Sequence, residues 1–146
     1  DILKLDVHAH IPDLGRALGE ELLEPTRIYA EIIRGVRKGL PIHGLAHITG
    51  GGIAENVVRI IPQTCGMVLL DRKWEVPPIF SFLQQAGNIS DQEMRRTFNN
   101  GIGLVVVVEE SASQEILERL AAMDQKAYVI GEITERKTSS ERIQWV

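Results

Sequence analysis

The stretch Gly44-Leu45-Ala46-His47-Ile48-Thr49-Gly50-Gly51-Gly52-Ile53-Ala54-Glu55-Asn56 decides the fold of this chain. Three consecutive glycines follow a short apolar run. The apolar residues after them, from Ile53 to Ile61, are spaced as on one face of a helix. The pattern predicts a strand, a glycine turn and a helix N-terminus, in that order. Glycines in the turn allow positive φ angles and let a ligand approach the backbone closely.

The glycine turn is a candidate anion site. The first amides of a helix lack intrahelical partners and carry the positive end of the helix dipole, so a phosphate is the natural ligand. A tight strand-to-helix turn without any ligand fits the same spacing, and both interpretations stay open. No Lys follows the glycines and Gly-x-Gly-x-x-Gly is absent, so the turn matches neither a Walker A loop nor a dinucleotide-binding loop.

Composition is typical of one soluble globular domain. The chain has 146 residues, of which 44% are hydrophobic and 25% charged. A net charge of −4 without basic runs argues against a nucleic-acid partner, and no apolar run approaches the ~20 residues of a membrane span. Cys65 is the only cysteine, which excludes an internal disulfide and fits a reducing, cytoplasmic compartment.

The beginning of the chain is typical of a lead-in segment. It starts at Asp1 without an initiator Met or a signal peptide, so we expect a fragment or a processed chain. Within residues 1–24, His8 and His10 imitate the His-x-His of metal-dependent amidohydrolases. Those enzymes are barrels of ~250 residues, so we expect packing or exposed histidines and no metal site.

Alternating helical and strand patterns over residues 25–135 predict one α+β domain, a mixed β-sheet packed by helices, with a tail over 136–146. The tail is expected to be an edge strand or disordered. The helices are expected to begin at Pro25, Ile53, Pro78, after a Ser90 capping box and after a Ser111 capping box. The strands are expected at 44–49, 67–70, 104–108 and 127–130, with 104–108 central because it is apolar on both faces.

Hydrolytic motifs are absent: no Ser lies in Gly-x-Ser-x-Gly, and no His is close to Cys65 in sequence. Glu109-Glu110 is more simply a solvated strand end than an acid–base pair. What remains is the glycine turn and the polar side chains that could converge on it, which are Thr26, Arg27, His47, Thr49, Asn56 and Asn99.

Several separated blocks resemble the aminoimidazole ribonucleotide synthetase family, specifically its C-terminal domain, over roughly residues 16–134. The blocks are Leu22-Leu23-Glu24-Pro25-Thr26-Arg27-Ile28-Tyr29, Gly44 to Asn56, Trp74 with Pro77-Pro78-Ile79-Phe80, Glu93-Met94, Thr97-Phe98-Asn99-x-Gly101-Ile102-Gly103 and Ile130-Gly131-Glu132. Two residues depart from the family pattern: Asn100, where Met is usual, and Val58, where Pro is usual.

The resemblance implies an activity for the parent enzyme. With ATP and Mg²⁺, bound mainly by an N-terminal domain missing here, such enzymes close the imidazole ring of formylglycinamidine ribonucleotide during purine biosynthesis. They act as homodimers. It also implies that Thr49, Gly50, Gly51 and Gly52 bind the substrate phosphate or the transferred phosphate, and that His47, Asn99 and Arg27 line the cleft.

Each of the last three residues keeps a structural alternative. His47 could be a core histidine, Asn99 a helix cap beside Gly101, and Arg27 a buried ion-pair partner. Two alternatives to the enzyme also remain. One is a stand-alone phosphate-binding or assembly module; the other is a related ATP-dependent protein such as thiamine-monophosphate kinase, selenophosphate synthetase or the hydrogenase maturation protein.

Overall fold

The computed structural model describes residues 5–71, 73–136 and 141–146. The strands are His10–Ile11 (β1), Arg16–Ala17 (β2), Ile42–His47 (β3), Cys65–Leu69 (β4), Leu104–Val108 (β5), Gly131–Glu135 (β6) and Ile143–Trp145 (β7). The helices are Leu18–Leu22 (α1), Ala30–Val36 (α2), Gly52–Val57 (α3), Pro78–Gly87 (α4), Asp91–Thr97 (α5) and Glu110–Ala122 (α6), with a 3₁₀ turn at Pro12–Leu14.

Three small sheets form the β part of the fold. β3 and β5 pair antiparallel, with a bulge between Ile42 and Gly44. β4 lies between β6, which is antiparallel to it, and β7, which is parallel, so this sheet is mixed. β1 and β2 form a short hairpin across the 3₁₀ turn at Pro12–Leu14. The α+β class and the mixed sheet are therefore confirmed.

The core lies where the glycine stretch meets β4 and β5. Alternation along β3 buries Ala46 and then Ile48, while His47 and Thr49 face the other way and are exposed. Helix α3 adds further apolar side chains to the same core. The buried residues of this core cluster are Ala46, Ile48, Ile53, Val57, Ile61, Met67, Leu69, Trp74, Val105 and Ile130.

Two helices begin where the sequence predicts. α4 starts at Pro78, where the missing amide proton costs nothing, and ends at Gly87. α5 is capped by Ser90, whose hydroxyl oxygen accepts a hydrogen bond from the Glu93 amide over 3.3 Å. The edge-strand alternative for the tail is confirmed for β7, whereas residues 137–140 lie outside the described part.

The predicted helix start at Pro25 is wrong, because α2 begins only at Ala30. Residues 24–29 are irregular and are held by tertiary contacts instead. The Arg27 guanidinium donates to the side chain of Gln125 over 3.0 Å, and Tyr29 packs on the far side of a cleft described below. These long-range contacts override the local helix signal.

The strand predicted at 127–130 is also wrong: β6 begins at Gly131, opposite Leu69. At this position a side chain would overlap the Val68 carbonyl, so only glycine lets the two strands approach. Tyr128 and Val129 are left exposed and only Ile130 enters the core. The apolar run therefore leads into the strand without belonging to it.

Three further expectations need correction. Helix α6 begins at Glu110, with Glu109 at the N-cap position and without a side-chain capping hydrogen bond, so Ser111 lies inside the helix and is not its cap. The Ser113 hydroxyl donates to the Glu110 carbonyl. Helix α3 ends at Val57 because the chain tightens into an i to i+3 turn there. Strand β5 is not central: in the described chain it pairs only with β3, and Val105 alone is buried.

Candidate functional site

The glycine turn needs its glycines for different reasons. Gly51 and Gly52 have φ angles of 95° and 60°, a left-handed backbone that other residues rarely adopt. A side chain at Gly52 would also overlap the Arg95 carbonyl of α5. Gly50 has neither constraint, since the space beside it is open. Close packing of α3 on α5 therefore depends on Gly52, while Gly50 is the accessible glycine.

Asn56 supports the glycine turn through hydrogen bonds to its backbone carbonyls. Its buried side-chain amide lies 2.8 Å from the Gly52 carbonyl, 3.2 Å from the Gly50 carbonyl and 3.4 Å from the Thr49 carbonyl. With these oxygens directed towards Asn56, no atom of the described chain accepts a hydrogen bond from the amides of Gly50 or Gly51. The amide of Gly52, by contrast, donates to the Thr49 carbonyl over 3.2 Å. Asn56 thus supports the turn and does not line an open site.

Charged side chains surround this turn. The Glu55 carboxylate folds back over Gly51, where a side chain on that glycine would lie 2.6 Å from its oxygen. Arg96 of α5 hydrogen-bonds to Glu93, which raises the pKa of Arg96, and the negative charge of Glu55 raises it further. The same hydrogen bonds, from Arg96 and from Thr97, lower the pKa of Glu93. Because the Glu55 carboxylate lies over Gly51, an anion that binds at Gly50 and Gly51 would have to displace it.

A cleft of about 330 Å³ begins at Thr49 and runs along the exposed side of β3. Four of the predicted site residues line it together although they are distant in sequence, which are Arg27, His47, Thr49 and Asn99. The remaining lining residues are Thr26, Tyr29, Ile48 and Gly103. Gly50, Gly51 and Gly52 follow Thr49 in the chain without lining this cleft.

His47 is exposed in the cleft, so the alternative of a core histidine is wrong. It faces away from the core because the buried side of β3 is occupied by Ala46 and Ile48. Its imidazole packs edge-to-face on the ring of Tyr29, with the ring centroids 5.8 Å apart and an angle of 61° between the planes.

Arg27 and Asn99 both line the cleft although they are far apart in the sequence. Arg27 is exposed and donates to Gln125, so it is not the buried ion-pair partner considered above. The side-chain oxygen of Asn99 accepts a hydrogen bond from the Gly101 amide over 2.9 Å, and its side-chain nitrogen stays available to a ligand. Capping of α5 is instead performed by Asn100, whose side-chain nitrogen donates to the Met94 carbonyl over 3.1 Å.

Tyr29 and Gly103 complete the walls of the cleft and were not among the predicted site residues. Both residues could have been found from the sequence, because they lie in two of the blocks that resemble the family, Thr-Arg-Ile-Tyr and Gly-Ile-Gly. A larger cavity of about 370 Å³ lies at the start of β3, beside His43, and contains none of the predicted site residues.

The described residues hold no arrangement of three or more His, Cys, Asp or Glu side chains suited to a metal. His8 and His10 are both exposed, and only His10 belongs to a strand. None of the helices in the described ranges is long and apolar enough to cross a membrane.

Comparison with known proteins identifies the family. Residues 2–144 match the model of the AIR synthase related protein, C-terminal domain. The chain is 52% identical over 145 residues to the phosphoribosylformylglycinamidine cyclo-ligase of Desulfatibacillum aliphaticivorans and 46% identical over 146 residues to that of Geotalea daltonii. The two matches include 99% and 100% of this chain, respectively, but the chain spans only 42% of the length of each relative.

Among solved structures, HypE of E. coli, a hydrogenase maturation protein, matches 88% of this chain and 40% of its own, with a TM-score of 0.62. At 23% sequence identity this similarity shows a shared fold and nothing about activity. The family match covers nearly the whole chain, and the glycine turn, the cleft and the fold lie inside it. The chain therefore belongs to the family of AIR synthase related proteins, as their C-terminal domain.

Proposed function

We propose that this chain is the C-terminal part of an ATP-dependent phosphoribosylformylglycinamidine cyclo-ligase of purine biosynthesis. The observation that carries the proposal is the cleft itself: His47, Thr49 and Asn99 line one cavity next to a turn with free amides. The name shared by relatives at 46–52% identity supports this reaction over others in the same fold.

In this reaction ATP supplies the phosphoryl group that activates the formyl oxygen of formylglycinamidine ribonucleotide. An amidine nitrogen attacks the formyl carbon, the carbon–oxygen bond breaks with phosphate as the leaving group, and the nitrogen loses a proton. The ring then closes to aminoimidazole ribonucleotide, with ADP and phosphate as the other products. Such chemistry requires mainly positioning and stabilisation of negative charge, which are within reach of neutral donors and an arginine.

The proposed site residues divide into two groups by position: Thr49 with the glycine turn that follows it, and the other residues that line the cleft. The amides of Gly50 and Gly51, with the Thr49 hydroxyl, bind the substrate phosphate or the transferred phosphate. Gly52 contributes through packing as well, since its own amide is engaged. This group supplies hydrogen-bond donors without carrying a net charge.

The second group consists of Arg27, His47 and Asn99, which line the cleft. The exposed guanidinium of Arg27 lies at the cleft and attracts the ribonucleotide's phosphate. His47 donates a hydrogen bond to substrate or to the transferring phosphate, and Asn99 orients the substrate through its free side-chain nitrogen. A preorganised donor of this kind is worth ~10²–10³ in rate.

ATP and Mg²⁺ belong mainly to another domain in this proposal. The described residues do not gather the several carboxylates that Mg²⁺ requires, so no step here passes through the metal. The 42% coverage of the relatives leaves the larger part of their length for such a domain. The complete protein would be a cytoplasmic homodimer.

The proposal is tested by assaying ring closure with ATP, Mg²⁺ and formylglycinamidine ribonucleotide. We expect turnover by a protein of the relatives' full length and none by residues 1–146 alone, with activity recovered when a separately expressed N-terminal half is added. Ring closure by residues 1–146 alone would contradict the assignment of ATP and Mg²⁺. Substrate binding without turnover at full length would favour a binding module, and turnover of thiamine monophosphate instead would favour a related kinase.

A further inference from the structure

Tyr29 packs against the His47 side chain across the cleft. Its ring meets the imidazole edge-to-face at 5.8 Å, a geometry in which aromatic pairs attract one another. Within the described residues, no hydrogen bond or ion pair is seen for the imidazole of His47, although its backbone pairs with Leu104 in the sheet. On strand β3 the exposed imidazole would otherwise be free to rotate about its side-chain bonds.

Gly103 leaves the space that the Tyr29 hydroxyl occupies. A side chain at Gly103 would overlap the Tyr29 hydroxyl oxygen and would lie 3.0 Å from the ring carbon that carries it. Gly103 itself is held against the glycine stretch, because its carbonyl accepts a hydrogen bond from the Ile48 amide over 2.9 Å. The φ of Gly103 is not in the left-handed region, so the backbone does not demand glycine there. What demands it is the space occupied by the hydroxyl.

These two contacts form one chain of support across the cleft. The chain begins at the end of β3, passes through Gly103 just before β5, crosses to Tyr29 at the end of the irregular segment 24–29 and returns to His47 on β3. Tyr29, His47 and Gly103 all line the same cavity. Arg27 lies on the same segment as Tyr29, so a shift of that segment would move both residues.

We propose that Tyr29 is a positioning residue for His47, with Gly103 as the socket of its hydroxyl. The inference rests on the proposed role of His47 in the cleft. It predicts that the ring of Tyr29 matters through the direction of the imidazole, and that glycine is required at 103 only while residue 29 carries a hydroxyl.

The experiment compares four variants of the full-length protein: Tyr29→Phe, Tyr29→Leu, Gly103→Ala and the double variant Tyr29→Phe with Gly103→Ala. Histidine labelled with ¹³C at Cε1 reports on the imidazole by NMR, and His47→Gln assigns its signal. Steady-state kinetics give kcat and KM, and thermal melting identifies any variant that does not fold.

Tyr29→Phe keeps the ring and should leave the His47 signal close to that of the unmodified protein. Tyr29→Leu removes the ring, should shift the signal, and should lower kcat up to ~10²-fold, the cost of an ångström-scale misplacement. Gly103→Ala should also shift the signal, because the methyl group pushes Tyr29 away. Adding Tyr29→Phe to Gly103→Ala should restore the signal, which a merely structural loss would not do.

An unshifted His47 signal in both folded Tyr29→Leu and folded Gly103→Ala would overturn the proposal. If Tyr29→Leu does not fold, failure of Tyr29→Phe to rescue Gly103→Ala overturns it equally. Failure of the proposed function looks different. In that case His47→Gln leaves kcat unchanged while the signal still responds to the ring of Tyr29.

Discussion

The side-chain amide of Asn56 donates a hydrogen bond to the Gly52 carbonyl over 2.8 Å, and Asn56 is only 6% exposed. The same nitrogen reaches the carbonyls of Gly50 and Thr49. A single buried donor therefore sets the shape of the glycine turn. Unpaired buried carbonyls lower stability, so the bonds from Asn56 stabilise the turn. They hold the turn in a conformation in which the amides of Gly50 and Gly51 have no acceptor within the described residues.

Asn56→Asp should destabilise the turn although the two side chains have nearly the same size and shape. It replaces the donor with an oxygen and places a carboxylate against three carbonyls, which should lower the free energy of unfolding by about 2–4 kcal/mol. Urea denaturation measures the change. Gln63→Glu, the same amide-to-acid exchange at an exposed position, is the control and should stay within about 0.5 kcal/mol. Equal effects of the two variants would show that Asn56 does not support the turn.

Gly52→Ala and Gly50→Ala should differ sharply. Gly52→Ala combines left-handed strain with overlap on the Arg95 carbonyl, and each costs about 1–3 kcal/mol, so a loss of about 2–6 kcal/mol is expected. Gly50→Ala enters open space without a positive φ and should leave the melting temperature nearly unchanged. A comparable loss at both positions would contradict the packing of α3 on α5.

Arg142 connects β7 to the loop between α3 and β4. Its guanidinium donates to four carbonyls at 3.0–3.4 Å, those of Val58, Ile61, Pro62 and Cys65. Arg142→Lys keeps the charge but loses this fork, so the free energy of unfolding should fall by about 1.5–3 kcal/mol in urea denaturation. Arg34→Lys, at an exposed ion pair with Glu31, is the control. A stable Arg142→Lys with an unchanged midpoint would refute the connection.

His47→Asn separates a catalytic from a structural role. His47 is exposed and its imidazole packs on the ring of Tyr29, so its replacement should barely move the melting temperature. Turnover of the full-length protein should fall by ~10²–10³, because Asn carries its donor at shorter reach. The measurements are thermal melting and kcat. Lower stability with unchanged activity per folded molecule would remove His47 from the site.

Part of this structure follows from short-range patterns. Strand alternation correctly places His47 and Thr49 on one side with Ala46 and Ile48 on the other, because the period of two does not depend on neighbours. Capping chemistry likewise locates α4 and α5, since the cap of each helix lies next to its first turn. These parts of the fold need only local information.

Other parts depend on contacts between distant residues. Pro25 signals a helix locally, yet contacts of Arg27 and Tyr29 with distant parts of the chain keep that segment irregular. The cleft wall formed by Tyr29 and Gly103 joins residues 74 positions apart in the numbering, and no periodicity predicts such a meeting. The onset of β6 at Gly131 depends on the close approach of β4 in the same way.

Binding of the substrate phosphate at the glycine turn is the central claim, and Gly50 allows its most direct test. Gly50→Glu and Gly50→Gln add side chains of equal size to open space, and only the first adds a negative charge beside the free amides. In the full-length protein, the KM for formylglycinamidine ribonucleotide should rise at least ~10-fold in Gly50→Glu, about 1.4 kcal/mol of repulsion. For Gly50→Gln it should stay within a factor of about three, well under 1.4 kcal/mol. Equal KM values for the two variants would contradict phosphate binding at this turn.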